Sequence, residues 1–473
     1  MAKAARKTAA SKSFQVISPV NGEVYLERPY HTAEDADAAL DAAKQAQKKW
    51  ARTTLEKRQE ILSKALDILG SWKVELAEEI THMIGRPLSQ TPGELRGLEE
   101  RGRYMIDIAE KSLADIVPEE KDGFLRRIKR VPVGVSAIVA PWNYPYLTSV
   151  NALFPALLAG NAVILKHSHQ TPLVADRYAA AFAEAGLPDG VFKNLDLTHA
   201  DTEKLLADPR TDSVSFTGSV KGGLAVQKAV VKKFIPAGLE LGGKDPAYVR
   251  FDADIGFAAE NLVDGAFFNA GQSCCGIERI YVHDSLFEDF LADFVRRTEA
   301  LRLGNPFSPE TTLGPMVRDS AAGFVRDQIA EAAKKGARTH IDKGRFPEIE
   351  RGGAYLAPEV LTEVTHEMRI MREETFGPAV CIMPVENDEE ALALMNDSDF
   401  GLTASVWTAD TDAAAELAGN LEAGTVFMNR CDYLDPALPW TGVKNSGRGA
   451  TLSILGFDGF IRPKSLHFRL KEE

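Results

Sequence analysis

Four side chains in three short segments are of types that carry out covalent chemistry. Cys274 and Cys275 end the run FFNAGQSCC and offer thiols. Glu240 begins ELGGK, and Asn143 lies within APWNYP. A thiolate is a nucleophile, a carboxylate removes protons, and an amide N–H stabilises an oxyanion. Singly these signals are weak, because a lone cysteine is usually a small buried hydrophobe and the other two residues suit ordinary turns. Together they are far more specific.

Each of these segments lies where the chain leaves an apolar element of an α/β pattern. Short apolar runs predict the strands Val131–Ala140, Ala162–Lys166, Val191–Leu195, Ser213–Phe216 and Ala237–Leu241. Helical patterns cover 33–50, 55–70, 73–84, 92–115, 148–159, 172–186 and a segment from about 220. This order predicts a doubly wound sheet that binds ligands at the carboxyl ends of its strands. A second α/β segment runs from about 242 to 430.

Composition narrows the class of protein. With 473 residues, the chain is expected to form two or three domains. A formal net charge of −13 argues against nucleic acid or membrane partners. Four cysteines without paired CxxC spacing predict neither a disulfide framework nor a metal site, and favour the reducing cytoplasm. The basic segment Met1–Lys12 is interpreted as a frayed terminus, and a transit peptide is the second interpretation. Ser149–Leu165 is too short and polar to span a membrane, so a buried helix and strand are expected.

Seven motifs occur together in one order along the chain. They are PWNYP (141–145), ILK (164–166), FTGSVKGG (216–223), ELGGK (240–244), FFNAGQSC (267–274), EETFGP (373–378) and NSGRG (445–449). This set resembles the aldehyde dehydrogenase superfamily, from about Ser18 to His467. The resemblance implies an NAD(P)-dependent enzyme that oxidises an aldehyde to a carboxylic acid.

The resemblance also implies an α/β fold in three parts. A doubly wound, Rossmann-like dinucleotide-binding domain is expected over 1–112 and 131–241, and an α/β catalytic domain over 242–428. A small β oligomerisation arm, over 113–130 and 441–473, would add strands across a subunit boundary in a homodimer or homotetramer.

Roles for the reactive residues follow from the same resemblance. Cys274 is expected to attack the aldehyde and form a thiohemiacetal, then a thioester. The Asn143 side-chain amide and the Cys274 N–H would form the oxyanion hole. Glu240 would be the general base for hydrolysis. Cys275 is expected to line the pocket or to form a regulatory sulfur pair.

The resemblance further implies a site for NAD or NADP. Gly218, Ser219 and Gly223 stand between a strand and a helix, where the helix N-terminus suits a pyrophosphate. Lys166 is expected at the adenosine ribose and Glu374 at the nicotinamide ribose. The remaining residues expected to contact the cofactor are Pro141, Trp142, Ser168, His169, Leu241 and Phe376.

One departure bears on cofactor choice. Many NAD-preferring relatives carry glutamate where this chain has His169. Without that carboxylate, Lys166 and Ser168 could bind a 2′-phosphate, so NADP use stays open. The alternative is that His169 only points to solvent.

The substrate pocket is expected to combine aromatic walls with polar points. The residues expected to line it are Tyr144, Thr148, Asn151, Phe268, Ser273, Arg430, Asp432, Leu434 and Trp440. Relatives that act on succinate semialdehyde commonly carry arginine where Asn151 stands. Arg430 is expected either to anchor a substrate carboxylate, which would make short semialdehydes the substrates, or to pair with Asp432.

Three other functions remain as alternatives. A coenzyme A-acylating dehydrogenase would keep Cys274 and Asn143, but Glu240 argues against it. A non-catalytic structural relative would not need all three residues. A cysteine peptidase would need a histidine base, and the nearest candidates, His167 and His169, lie in the cofactor segment.

Overall fold

The computed structural model describes residues 12–470, so most of the predicted frayed terminus lies outside the described residues. The helices are α1 (Ala33–Trp50), α2 (Leu55–Ser71), α3 (Lys73–Ile84), α4 (Thr91–Asp107), α5 (Ala109–Leu113), α6 (Pro145–Leu158), α7 (Pro172–Ala185), α8 (His199–Ala207), α9 (Val220–Val230), α10 (Ile255–Phe267), α11 (Phe287–Glu299), α12 (Asp319–Lys334), α13 (Arg369–Arg372), α14 (Asp388–Asn396) and α15 (Thr411–Asn420).

The strands are β1 (Ser13–Ile17), β2 (Val24–Pro29), β3 (Phe124–Pro132), β4 (Val135–Val139), β5 (Ala162–Lys166), β6 (Phe192–Asn194), β7 (Ser213–Thr217), β8 (Ala237–Glu240), β9 (Asp245–Val249), β10 (Ile277–His283), β11 (Arg338–Thr339), β12 (Glu359–Thr362), β13 (Ala379–Val385), β14 (Phe400–Gly401), β15 (Thr403–Trp407), β16 (Thr425–Met428), β17 (Val443–Lys444), β18 (Gly447–Arg448) and β19 (Ile461–Arg469).

The predicted doubly wound sheet is present, with strand order β18-β8-β7-β4-β5-β6. Strands β4 to β8 run parallel, and β18 closes one edge antiparallel to β8. The chain winds outward from β4 through β5 to β6, then returns to β7 on the other side of β4. Connections diverge at this point, so a crevice opens beyond the carboxyl end of β4. The APWNYP segment follows β4 directly.

The run Val131–Ala140 was expected to form one strand, and this prediction is wrong. Gly134 separates β3 from β4 and has φ +139, a left-handed conformation that glycine tolerates. A Cβ on Gly134 would also lie 2.0 Å from the Asp212 carboxylate. The two halves therefore belong to different sheets. The helix expected over 92–115 is likewise divided into α4 and α5.

The second α/β segment forms a seven-stranded sheet of order β11-β12-β13-β10-β9-β15-β16. Five of its six pairings are parallel, and only the short β11 runs antiparallel. The residues of β9 are all buried, as expected for a strand covered on both faces. The FFNAGQSCC segment connects α10 to β10, so it lies directly before a strand of this sheet.

A separate two-stranded sheet joins β3 to β19 along nine residue pairs, from Ile461 opposite Pro132 to Arg469 opposite Phe124. It carries exposed apolar side chains, among them Leu125 and Phe468. None of the helices formed by residues 12–470 has both the length and the apolarity needed to cross a membrane.

Candidate active site

The three reactive segments meet around one cavity of about 310 Å³, called here the reaction cavity. Cys274 and Glu240 both line it, with Trp440 and the helices α4 and α6 forming other parts of its wall. The residues expected in the substrate pocket that line it are Tyr144, Thr148, Asn151, Phe268, Ser273, Asp432, Leu434 and Trp440. Segments far apart in sequence thus supply a thiol and a carboxylate to one small space.

The loop that carries Cys274 is shaped by residues with unusual backbone conformations. Asn269 and Ala270 have φ of 52° and 55°, and Gly271 has φ of 70°. A Cβ on Gly271 would lie 2.3 Å from the Gly377 carbonyl oxygen, so only glycine fits there. Gln272 then fastens the loop, because its Oε1 accepts a hydrogen bond of 2.8 Å from the Val317 N–H. Such strain persists only where surrounding contacts hold it.

Cys274 and Cys275 differ sharply in environment. Both line the reaction cavity, but Cys274 is half-buried whereas Cys275 is only 3% exposed. The Cys275 thiol donates to Asp432 Oδ1 at 2.9 Å. Its hydrogen bond with Cys274, together with burial and the nearby Asp432 carboxylate, raises the pKa of Cys275 well above its usual value. A thiol held neutral is a poor nucleophile, so the environment favours Cys274 for attack.

Asn143 is held against the loop of Cys274. Its side-chain amide donates to the Gln272 carbonyl at 3.2 Å, and no second acceptor for that amide exists among residues 12–470. The Cys274 N–H also has no hydrogen-bond partner in the described part of the chain. Each of the two residues therefore has a free amide hydrogen, and both hydrogens are available to a single oxyanion.

A buried guanidinium fixes the position of Asn143. Arg86, 1% exposed, donates to the Asn143 carbonyl and forms an ion pair with Glu94. Its Nε also donates to Asn269 Oδ1 at 3.1 Å. Glu94 in turn accepts from the Tyr146 N–H at 2.7 Å, at the first turn of α6. Arg86 therefore joins the loop after β4, the loop of Cys274 and the start of α6.

Glu240 lies at the end of β8 with both carboxylate oxygens engaged. Oε1 accepts from the Thr451 hydroxyl at 2.5 Å and Oε2 from the Thr217 hydroxyl at 3.1 Å. Burial raises the pKa of Glu240 above its usual value, while the two hydroxyls and the positive charge of Arg101 oppose that shift. A carboxylate with a raised pKa is a better proton acceptor near neutral pH.

The structure also fits a dinucleotide beside the reaction cavity. Ser219 caps α9, accepting from the Gly222 N–H at 3.2 Å, so the helix start presents further N–H groups beyond β7. A Cβ on Gly223 would lie 2.7 Å from the Leu241 side chain, and one on Gly218 would lie 2.8 Å from the Phe216 ring. The glycines therefore let the helix start lie close to the strand ends, as a pyrophosphate site needs.

Lys166 ends β5 at the same edge of the sheet. It is 5% exposed, and its ammonium has no hydrogen-bond partner among residues 12–470. Burial lowers the pKa of Lys166 to about 8. An unpartnered ammonium at a strand end suits ribose hydroxyls or a phosphate.

Glu374 lies against the Gly242 and Gly243 backbone that follows Glu240. Its Oε1 accepts from the Gly243 N–H at 3.1 Å, and a Cβ on Gly242 would lie 2.3 Å from its Oε2. Burial, the main cause, and the neighbouring Glu278 raise the pKa of Glu374 to about 8. Phe376 and Trp142 make an edge-on ring contact, with centroids 5.7 Å apart.

His169 does not simply point to solvent. Its ring packs against Phe14 and Tyr30, with centroids 4.7 and 5.1 Å away, and Nε2 donates to the Leu197 carbonyl at 2.7 Å. Burial, the main cause, and the charge of Lys166 lower the pKa of His169 to about 4, so the ring is neutral at pH 7. Ser168 lies beside it, where its hydroxyl accepts from the Gln170 N–H.

Arg430 departs from its expected place. It does not line the reaction cavity, its side chain is exposed, and its guanidinium lies 3.5 Å from the centroid of the Tyr433 ring. No ion pair between Arg430 and Asp432 forms in the described part of the chain. Asp432 instead accepts from Ser273 at 3.1 Å and from Cys275. The loop after β16 turns through left-handed Asn429 and Asp432, which separates the two side chains.

Sequence reasoning missed several residues of this site. Arg86, Glu94, Arg101 and Thr451 carry no motif of their own. Their only sequence signal is an ionisable or hydroxyl side chain within an apolar pattern, which is common elsewhere in the chain.

Among residues 12–470 no group of three or more metal-ligating side chains converges.

The family model described as "Aldehyde dehydrogenase family" matches residues 6–466. An aldehyde dehydrogenase of Paenarthrobacter nicotinovorans is 36% identical over 453 residues, which cover 95% of this chain and 98% of that protein. The NADP(+) succinate-semialdehyde dehydrogenase of Deinococcus radiodurans is 33% identical, covering 96% and 94%. A solved indole-3-acetaldehyde dehydrogenase in complex with NAD+ superposes with a TM-score of 0.93 at 33% identity, covering 97% of this chain and 94% of the other.

Proposed function

The chain is an NAD(P)-dependent oxidoreductase of the aldehyde dehydrogenase family, and we propose that it oxidises its aldehyde substrate through Cys274, with the help of Asn143 and Glu240. The observation that carries this proposal is the convergence of Cys274 and Glu240 on one cavity, with the amide of Asn143 held at the cysteine loop. The acid is the product, and transfer of the acyl group to coenzyme A is not favoured.

The first step joins the substrate to the protein. The Cys274 thiolate adds to the aldehyde carbon, a C–S bond forms, and the carbonyl electron pair moves to oxygen. The free amide hydrogens of Asn143 and of the Cys274 backbone stabilise that oxyanion. Because Arg86 holds the Asn143 carbonyl, the donors are positioned before substrate arrives.

When bound, NAD or NADP would supply the hydride acceptor for oxidation of the thiohemiacetal to the thioester. Residues that would hold it are Lys166 and Glu374 at the two riboses, and the start of α9 at the pyrophosphate. Phe376 and Trp142 would contact the nicotinamide end. The ring contact between Phe376 and Trp142 and the hydrogen bond from the Gly243 N–H to Glu374 support this assignment.

The last step releases the acid. A water molecule attacks the thioester carbon, Glu240 accepts its proton, and the C–S bond breaks to restore Cys274. The raised pKa of Glu240 supports this role, since proton acceptance becomes favourable near neutral pH. Cys275 takes no part in these steps, because its proton is shared with Asp432.

A matched pair of cysteine variants tests the proposal. Cys274→Ala should abolish formation of reduced cofactor, whereas Cys275→Ala should retain most of the activity. Turnover would be followed by absorbance of the reduced nicotinamide with a panel of aldehydes, with and without coenzyme A. Substantial activity in Cys274→Ala, or a strict need for coenzyme A, would contradict the mechanism.

The three-domain division and the assembly also stay predictions. The pairing of β3 with β19, and the position of β16 at an edge of its sheet, support an arm that joins copies into a homodimer or homotetramer. Exposed Leu125 and Phe468 on that arm would be covered by such contacts. Sedimentation velocity of the full chain would return a monomer if the prediction is wrong.

A further inference from the structure

Helix α4 brings a buried guanidinium to the wall of the reaction cavity. Gly97 allows close approach to α6, because a Cβ there would lie 2.5 Å from the Leu147 side chain. Arg101 follows one turn later on the same face of α4 and is 8% exposed. It lines the reaction cavity together with Cys274 and Glu240.

The guanidinium of Arg101 is only partly satisfied by the protein. Nη1 donates to the Leu147 carbonyl at 3.1 Å and to Asn151 Oδ1 at 3.4 Å. Nε and Nη2 have no hydrogen-bond partner among residues 12–470, and no carboxylate in that part of the chain pairs with Arg101. By contrast, the buried Arg86 has Glu94 as its counter-ion. A desolvated cation without a counter-ion is costly, so the site is built for an anion from outside.

The carboxylates around the reaction cavity are already engaged by other groups. Glu94 is paired with Arg86, and Glu240 accepts from two threonine hydroxyls. Asp432 accepts from Ser273 and Cys275. At the exposed mouth, Glu100 accepts from the Tyr433 hydroxyl at 3.2 Å. None of the four forms an ion pair with Arg101, although the charges of Glu240, Glu94 and Glu100 act on it from a distance.

The positions of the charged groups in the reaction cavity indicate where the negatively charged end of a substrate would bind. Asp432 lies beside Ser273 and Cys275, where it would repel a second negative group. Arg101 projects from α4 with free N–H donors, where a carboxylate could accept two parallel hydrogen bonds.

We propose that Arg101 binds the carboxylate of a short aldehyde acid, so that the preferred substrates are semialdehydes of small dicarboxylic acids. This inference rests on the proposed oxidation at Cys274 and assigns to Arg101 the anchoring role that the sequence suggested for Arg430. A cavity of about 310 Å³ has room for a substrate of this size. Asn151 accepts a hydrogen bond from Arg101 and so helps to orient it.

The kinetic test compares Arg101→Met with Arg103→Met, an arginine on the same helix whose side chain is 40% exposed and pairs with Asp67 and Glu99. For succinate semialdehyde, kcat/KM should fall about 10²- to 10³-fold in Arg101→Met, mostly through KM. For butanal, a neutral aldehyde of the same length, it should change less than about threefold. Arg103→Met should change neither.

A binding test removes the dependence on turnover. Calorimetry would measure the binding of succinate and of its uncharged diamide, succinamide, to Cys274→Ala, with and without Arg101→Met. Succinate should bind more tightly than succinamide, and this difference should disappear without Arg101. If Arg101→Met does not fold, Arg101→Lys keeps the charge without the two-pronged geometry and should show a smaller loss selective for the semialdehyde.

The outcomes separate the two proposals. Wild type that oxidises no aldehyde would contradict the proposed function. Wild type that prefers butanal, or equal losses on both substrates in the Arg101 variants, would overturn the anchor alone. Equal binding of succinate and succinamide would overturn it as well.

Discussion

Replacing Glu240 by glutamine should separate oxidation from hydrolysis. Glutamine has almost the same shape, so its side-chain oxygen can still accept from Thr451 and its amide can donate to the Thr217 oxygen. What disappears is the ability to take a proton from water. The thioester on Cys274 should therefore form at nearly the normal rate and persist.

The size of the loss follows from the chemistry assigned to Glu240. A general base contributes about 10²- to 10⁴-fold, which corresponds to about 3–5 kcal/mol in the barrier to hydrolysis. Steady-state turnover of Glu240→Gln should fall by that factor. The acid limb of the wild-type pH profile should lie above the usual glutamate pKa, because burial raises the pKa of Glu240 and its protonated form is inactive as a base. This limb should be absent in Glu240→Gln.

Stopped-flow absorbance would show a burst of reduced nicotinamide, about one equivalent per active site, followed by a very slow phase. Mass spectrometry of the quenched protein should find the acyl group on Cys274. Glu260→Gln, at an exposed carboxylate paired with Arg297, is the matched control and should behave as wild type. Unchanged steady-state turnover in Glu240→Gln, or a slow reaction without a burst, would refute the assigned role.

Two further predictions concern the cofactor and the scaffold. Measurable turnover with NADP is expected, and His169→Glu should lower the ratio of kcat/KM for NADP to that for NAD, because a carboxylate repels the 2′-phosphate. His169→Gln, which can still donate to the Leu197 carbonyl, should leave the ratio nearly unchanged. A wild type that is inactive with NADP would contradict the reasoning. Arg86→Met should lower the free energy of unfolding by about 3–5 kcal/mol, measured in urea, because Glu94 would remain buried without its counter-ion. A loss below about 1 kcal/mol would show that water or another group compensates Glu94.

The sequence determined the elements and the reactive residue types because both depend on local order along the chain. The observed bounds of α1 and β5 are those that the hydrophobic pattern predicted, because this pattern repeats every few residues within a single element. The thiol, carboxylate and amide were recognisable because each lies in a short motif. The strand Val131–Ala140 was misjudged because the contact that divides it, Gly134 against Asp212, joins distant segments.

Only the tertiary structure decided which charges remain unpaired at the site. Arg101 and Asn151 are 50 positions apart, and Glu240 and Thr451 are 211 apart, so no local pattern relates them. Whether an arginine lies in solvent, as Arg430 does, or in the wall of a cavity depends on backbone turns and helix packing. Electrostatic energy depends on distance and burial in three dimensions, so the sequence indicated the catalytic chemistry while the packing of α4 on α6 identified the guanidinium that faces the substrate.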